Sequence, residues 1–168
     1  MYIFFLTLTL FFLITIVYND FKFREIPAYL FVILFLLNII TDTMEEGLQQ
    51  MFLNIVLNLF LTGSFLYLLR FYYYLRTRES ENILDKQLGK GDIAFWISIS
   101  PLFSLINFTY FMMISLLCTL VSTGIVTYTR RKRIITIPLA GYQAFLLFFA
   151  ILSKNLFKDH IHVNLFHY

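Results

Sequence analysis

The chain has 168 residues, of which 60% are hydrophobic, 20% are Phe, Tyr or Trp, and only 14% are charged. A soluble domain cannot cover its surface with so few polar groups, and the mean hydropathy of +0.77 points to a bilayer as solvent. At this length the chain reads as one unit without a separate soluble catalytic domain, so any chemistry belongs in or at the membrane.

The single Cys118 excludes an internal disulfide and a Cys-only zinc site. The net charge of +3 does not argue for nucleic acid, because the basic residues stand in short blocks beside apolar runs, as membrane-flanking charge does. No basic n-region or small-residue cleavage site precedes the first apolar run, 1–19, so it is expected to remain as a span rather than leave as a signal peptide.

The next uncharged runs are 26–41, 47–69, 93–129 and 134–153. About 20 residues cross the roughly 30 Å of hydrocarbon, so four of the five runs suit one crossing each. The run 93–129 has 37 residues, and as one helix at about 1.5 Å per residue it overshoots the bilayer. Pro101, Ser104 and Asn107 mark an expected break, at an interface where water satisfies the freed backbone groups. The sequence therefore predicts an all-α polytopic membrane protein of six transmembrane helices over residues 1–153. Residues 154–168, with His160, His162 and His167, form a short C-terminal tail without trusted metal spacing.

Loop charge supports the count. With six spans, eleven of the 13 Lys and Arg residues share one side. They are Lys22, Arg24, Arg70, Arg76, Arg78, Lys86, Lys90 and the cluster Arg130, Arg131, Lys132 and Arg133, leaving Lys154 and Lys158 opposite. Because Lys and Arg collect on the cytoplasmic side, both termini are expected to face away from the cytoplasm. Asp42, Glu45 and Glu46 fall in a short loop on that outer side.

Two acids stand at the same predicted membrane face: Asp20 ends the first run, and Asp92 enters the fourth span. Two carboxylates within hydrogen-bond reach cannot both ionise freely, so they share a proton. Such a pair suits aspartyl hydrolysis, one carboxylate activating water while the protonated one polarises the scissile carbonyl. Alternatively, each acid caps a helix or pairs with a base such as Lys22, Arg24 or Lys90. A third possibility is a non-enzymatic assembly subunit or ion-conducting bundle with Asp20 and Asp92 as ion sites. Asn54, Asn58 and Thr62 recur every four residues and should face the bundle interior, holding helices together or supporting the site. Tyr142 and Gln143 read similarly.

Asp92 closes Gly89-Lys90-Gly91-Asp92, whose glycines let the backbone approach a helix or a substrate closely. Asp20 is followed at fixed distance by Ile26 and Pro27, with Pro27 suited to the first turn of the next helix. These patterns resemble the G-x-G-D and D-x5-I-P motifs of the type IV prepilin peptidase family, membrane aspartyl proteases that include archaeal preflagellin peptidases. Ile137, Pro138, Leu139, Ala140, Gly141 and Tyr142 resemble the I-P-x-x-P segment that opens the family's last span. The chain departs from the family pattern at Ala28, where Asn is usual, at Ala94, where Lys is frequent, and at Gly141, where the second proline stands.

The resemblance implies a catalytic pair Asp20 and Asp92. Gly89, Lys90, Gly91, Ile26, Pro27 and Pro138 would contact substrate or support the site. The substrate would be a prepilin-like protein cut at the cytoplasmic face of the cell membrane. Members that also methylate the new N-terminus carry an additional segment with paired cysteines. No such segment is found here, so neither zinc, nor S-adenosylmethionine, nor any other cofactor is expected.

Overall fold

The computed structural model describes residues 1–77, 89–130 and 138–157. Among these residues the chain forms six α-helices, one short 3-10 turn and no strand. They are α1 (Tyr2–Phe23), α2 (Ala28–Glu46), α3 (Leu48–Thr77), α4 (Lys90–Ile99), the 3-10 turn (Ser100–Leu102), α5 (Leu105–Arg130) and α6 (Leu139–Phe157). The tail histidines, the basic residues 131–133 and the loop residues Arg78 and Lys86 lie outside the described residues.

Four helices are long and apolar enough to cross a membrane: α1, α2, α3 over Leu48–Leu75 and α5 over Leu105–Val126. Of the other two, α4 has 10 residues and α6 has 19, with an apolar stretch over Leu139–Ser153. Exposed Phe, Leu, Ile and Tyr side chains are distributed along the helices, as expected where lipid rather than water meets the surface.

All three prolines sit at helix boundaries, where a missing N–H removes no ladder bond. Pro27 stands one residue before α2, at its N-cap, rather than inside the first turn, and its carbonyl accepts the Leu30 amide at 3.0 Å. Pro138 is buried and stands just before α6, accepting the Tyr142 amide at 3.2 Å. The turn from α1 to α2 is made by Arg24, whose φ of 59° is left-handed, a conformation costing a non-glycine residue about 1–2 kcal/mol.

One expectation needs correction. The acids Asp42, Glu45 and Glu46 are not in a loop: α2 continues through all three and ends at Gly47, whose φ of 89° is open to glycine without strain. Asp42 is buried there, at 4% exposure.

The break in the 93–129 run falls where Pro101 and Ser104 predict it, at the end of α4 away from Asp20, where Leu102 and Phe103 line a pocket with Tyr2 and Glu45. Ser100 and Pro101 are buried. Asn58 of α3 donates to the carbonyls of Ser100 at 2.8 Å and Phe103 at 2.6 Å, and Asn38 of α2 donates to Ser98 O at 2.8 Å. Side-chain amides replace the water that a surface turn would use. As a result α4 has 10 residues and reaches only about 15 Å, half the hydrocarbon thickness.

The core lies along α4 and the helices around it, with Leu13, Leu34, Phe95, Trp96, Phe108 and Leu147 fully buried. α1 packs most extensively against α6 and next against α2, while α4 lies mainly on α2. α6 contributes the small residues Ala140, Gly141 and Ala144, which let neighbouring backbones come close.

Candidate active site

Chain direction gathers one set of helix ends. α1 runs toward Asp20, α2 runs away from it to Gly47, and α3 returns; the N-termini of α4 and α6 lie at the Asp20 end. Lys22, Arg24, Arg70 and Lys90 belong to this end, whereas Glu45 lies at the other, where it accepts the Tyr2 hydroxyl at 2.8 Å.

Asp20 occupies the last turn of α1 and is 8% exposed. Its Oδ2 accepts the backbone N–H of Gly141 at 2.5 Å. Asp92 is the third residue of α4. One carboxylate oxygen accepts the N–H of Gly89 at 3.1 Å, and the other accepts the N–H of Ala140 at 2.8 Å. Asp92 thus caps its own helix, as the simpler reading of the sequence proposed, and also reaches across to α6. The two carboxylates are bound to consecutive amides of one helical turn, near enough that the charge of Asp20 acts on Asp92.

The basic neighbours divide. The charge of Arg24 acts on Asp20. Lys22 instead donates to the Tyr18 hydroxyl, with its ammonium 4.8 Å from the centre of that ring and 5.1 Å from that of Phe23, a snorkelling posture suited to a membrane interface. Lys90 opens α4 and is exposed.

The two motif glycines have different surroundings. A Cβ on Gly89 would stand 3.0 Å from Asp92 Oδ2, a tight contact that the carboxylate would have to relieve by a few tenths of an ångström. A Cβ on Gly91 would meet Phe31 at 3.8 Å and Ile26 at 3.9 Å, ordinary contact distances, so packing in this structure does not demand glycine there. Ile26 is partly buried against the core and faces the start of α4. Pro138 leads directly into the turn that holds both acids.

Asn54, Asn58 and Thr62 are buried as their spacing predicts, at 2%, 0% and 3% exposure. They serve the far end of α4 and the helix ends beyond it rather than the aspartates: Asn58 holds the break, Asn54 donates to Glu46 at 3.4 Å, and Thr62 bonds within its own helix. Gln143 is closer to the site. It accepts the Trp96 indole N–H at 2.8 Å and donates to Ser115 at 3.2 Å, joining α6 to α4 and α5. Tyr142 packs edge-on against Phe21, the neighbour of Asp20, with ring centres 4.9 Å apart.

Sequence reasoning did not find the amide donors of Ala140 and Gly141. Backbone donors leave no residue-type signature. The available signal was the departure at Gly141, where a proline would have no N–H to give.

Neither the curated proteins nor the solved structures compared with this chain include a match. A family profile does match, over residues 7–126, a stretch that contains both Asp20 and Asp92 and stops before α6. With most of its length matched, the chain belongs to the type IV leader peptidase family.

Proposed function

We propose that this leader peptidase is a membrane-embedded aspartyl endopeptidase that cuts prepilin-like substrates at the cytoplasmic membrane face, with Asp20 and Asp92 as its catalytic pair. The observation that carries this reading is the convergence of two carboxylates from separate helices, α1 and α4, on adjacent amides of α6. Helix capping alone accounts for the Gly89 bond but not for the bonds of either acid to α6. The family pattern supports the pairing, since both acids sit in its motifs. The basic helix ends around them support the cytoplasmic side.

The chemistry follows from a pair sharing one proton. The ionised carboxylate removes a proton from a water molecule as its oxygen bonds to the scissile carbonyl carbon. The protonated carboxyl gives its hydrogen to the carbonyl oxygen, and a tetrahedral diol forms. Collapse of the diol breaks the C–N bond and restores the carbonyl, with a proton delivered to the departing amine, so the pair ends with the single proton it began with. A substrate with a short basic leader and an apolar helix suits this placement: its helix stays in lipid while the leader meets the aspartates at the membrane edge. The reaction requires no metal and no S-adenosylmethionine, and the reading assigns the chain peptidase activity without N-methyltransferase activity.

The test is cleavage of a synthetic single-span substrate with a basic leader by the purified chain in reconstituted membranes. Asp20→Asn and Asp92→Asn should each abolish cleavage while the protein still inserts and remains helical. Substantial cleavage surviving either substitution would sink the aspartyl mechanism. Ion flux altered by both substitutions, with no proteolysis by the unmodified chain, would instead establish the conducting-bundle alternative.

A further inference from the structure

The first turn of a helix has N–H groups without intrahelical partners, and the dipole gives that end partial positive charge. In α6 two of these donors, Ala140 and Gly141, are taken by carboxylates arriving from two other helices. We propose that this turn is a positioning element of the active site, holding Asp92 through Ala140 and Asp20 through Gly141 so that the two acids stand side by side. Gly141 is the residue on which its geometry depends. The proposal rests on Asp20 and Asp92 being the catalytic pair, and the turn lies beyond the stretch matched by the family.

Gly141 is constrained by space as well as by its hydrogen bond. A Cβ built there lies 2.8 Å from Asp20 Oδ2, 3.0 Å from Asp20 Cβ and 3.0 Å from a ring carbon of Phe21. Two of these atoms sit near the α1 backbone or on a ring already packed against Tyr142, so they cannot swing aside as the tip of a flexible chain would. Any side chain at 141 therefore drives α1 and α6 apart. Proline, the residue the family pattern has at this place, would in addition remove the donor. In this chain the position is occupied by the residue that satisfies both demands, an N–H and no side chain. Ala140 gives its amide to Asp92 while its methyl group is buried in the core.

Two glycines thus report separately on the two acids, Gly141 on Asp20 and Gly89 on Asp92. With six glycines in the full chain, selective 15N-glycine labelling in detergent micelles gives six amide signals, assigned by single replacements. The Gly141 signal is expected to shift with pH and to lose that dependence in Asp20→Asn, while Gly89 loses its own in Asp92→Asn. A Gly141 signal indifferent to Asp20→Asn overturns the proposal whether or not the chain cleaves anything.

The second measurement replaces residue 141 by glycolic acid, which turns the donating amide into an ester while keeping the shape, and so avoids the folding risk of Gly141→Ala. Loss of a hydrogen bond to a charged acceptor should lower kcat by roughly 10- to 100-fold on the synthetic leader substrate. KM should stay within about twofold, since the turn touches the acids and not the substrate, and the pH profile should be displaced. Unchanged kcat and pH profile in the ester variant overturn the proposal but leave the aspartyl reading standing. That reading is tested separately, by whether cleavage survives Asp20→Asn or Asp92→Asn.

Discussion

Trp96 donates its indole N–H to Gln143 Oε1 at 2.8 Å, one turn along from the bond between Asp92 and the Ala140 amide. Asp92 and Trp96 are four residues apart on α4, and Ala140 and Gln143 are three apart on α6, so each pair shares a helix face. The two bonds form successive rungs between α4 and α6. Gln143 is fully buried and also donates to Ser115, which ties the rung to α5. The Asp92 end of α4 is therefore fixed in register, not merely packed.

Removing this rung should loosen the site without touching it. Gln143→Leu leaves the indole N–H of a fully buried Trp96 without its acceptor, a loss of about 1–2 kcal/mol inside a membrane bundle. Trp96→Phe with Gln143→Leu should cost less than the sum of the two single changes, because each alone removes the same bond. Unfolding in graded denaturing detergent measures this, and strict additivity would show that the bond contributes nothing.

The break between α4 and α5 gives a second prediction. Asn58→Leu strips the donor from two buried carbonyls, Ser100 O and Phe103 O, and should destabilise the fold by about 1–3 kcal/mol. Asn58→Asp has nearly the same shape but, when ionised, no donor. It should be at least as damaging, and an Asn58→Asp protein of unchanged stability would show that the two bonds contribute nothing.

These features show what could be read along the chain and what could not. The helix order, the break near Pro101, the inward face of Asn58 and the pairing of motifs around Asp20 and Asp92 are all legible, because each depends on residue type and spacing. The partner that meets the break is not. A run of apolar residues has the same composition whatever donor its turn finds, and only the fold brings Asn58 of α3 to the carbonyls of Ser100 and Phe103. The end of α2 is hidden for a related reason: Asp42, Glu45 and Glu46 look like loop residues by charge, yet a helix carries all three, with Tyr2 donating to Glu45 and Asn54 to Glu46. The amides that gather the two acids belong to Ala140 and Gly141, residues whose side chains do nothing that a motif could record.

Topology is testable at one position near the start of α3 and one in the chain that follows it. In a Cys118→Ser background, a cysteine at exposed Gln49 should react with a membrane-impermeant label applied outside the cell, and a cysteine at Arg78 should not. This follows from the basic residues at the aspartate end and the acidic ones at the other. The reverse pattern would turn the protein over and move the proposed site away from the cytoplasm.

The last prediction concerns protons. Hydrolysis by two carboxylates needs one ionised and one protonated, so the rate on a leader substrate should rise and then fall with pH. At the acid limit both carry protons and no base remains to activate water. At the alkaline limit both are ionised, and no acid remains to polarise the carbonyl. The two apparent pKa values of the bell belong to the pair rather than to Asp20 or Asp92 alone. An Asn at either position removes the partner as well as the group, so the bell should vanish with the activity instead of becoming a single-limbed curve. Lys90→Ala is the informative contrast: Lys90 is exposed at the start of α4, two residues before Asp92, so its replacement should retain cleavage and displace the profile. A pH–rate profile of the unmodified chain with only one limb would show that a single carboxylate governs the rate, and the shared-proton mechanism would have to be abandoned.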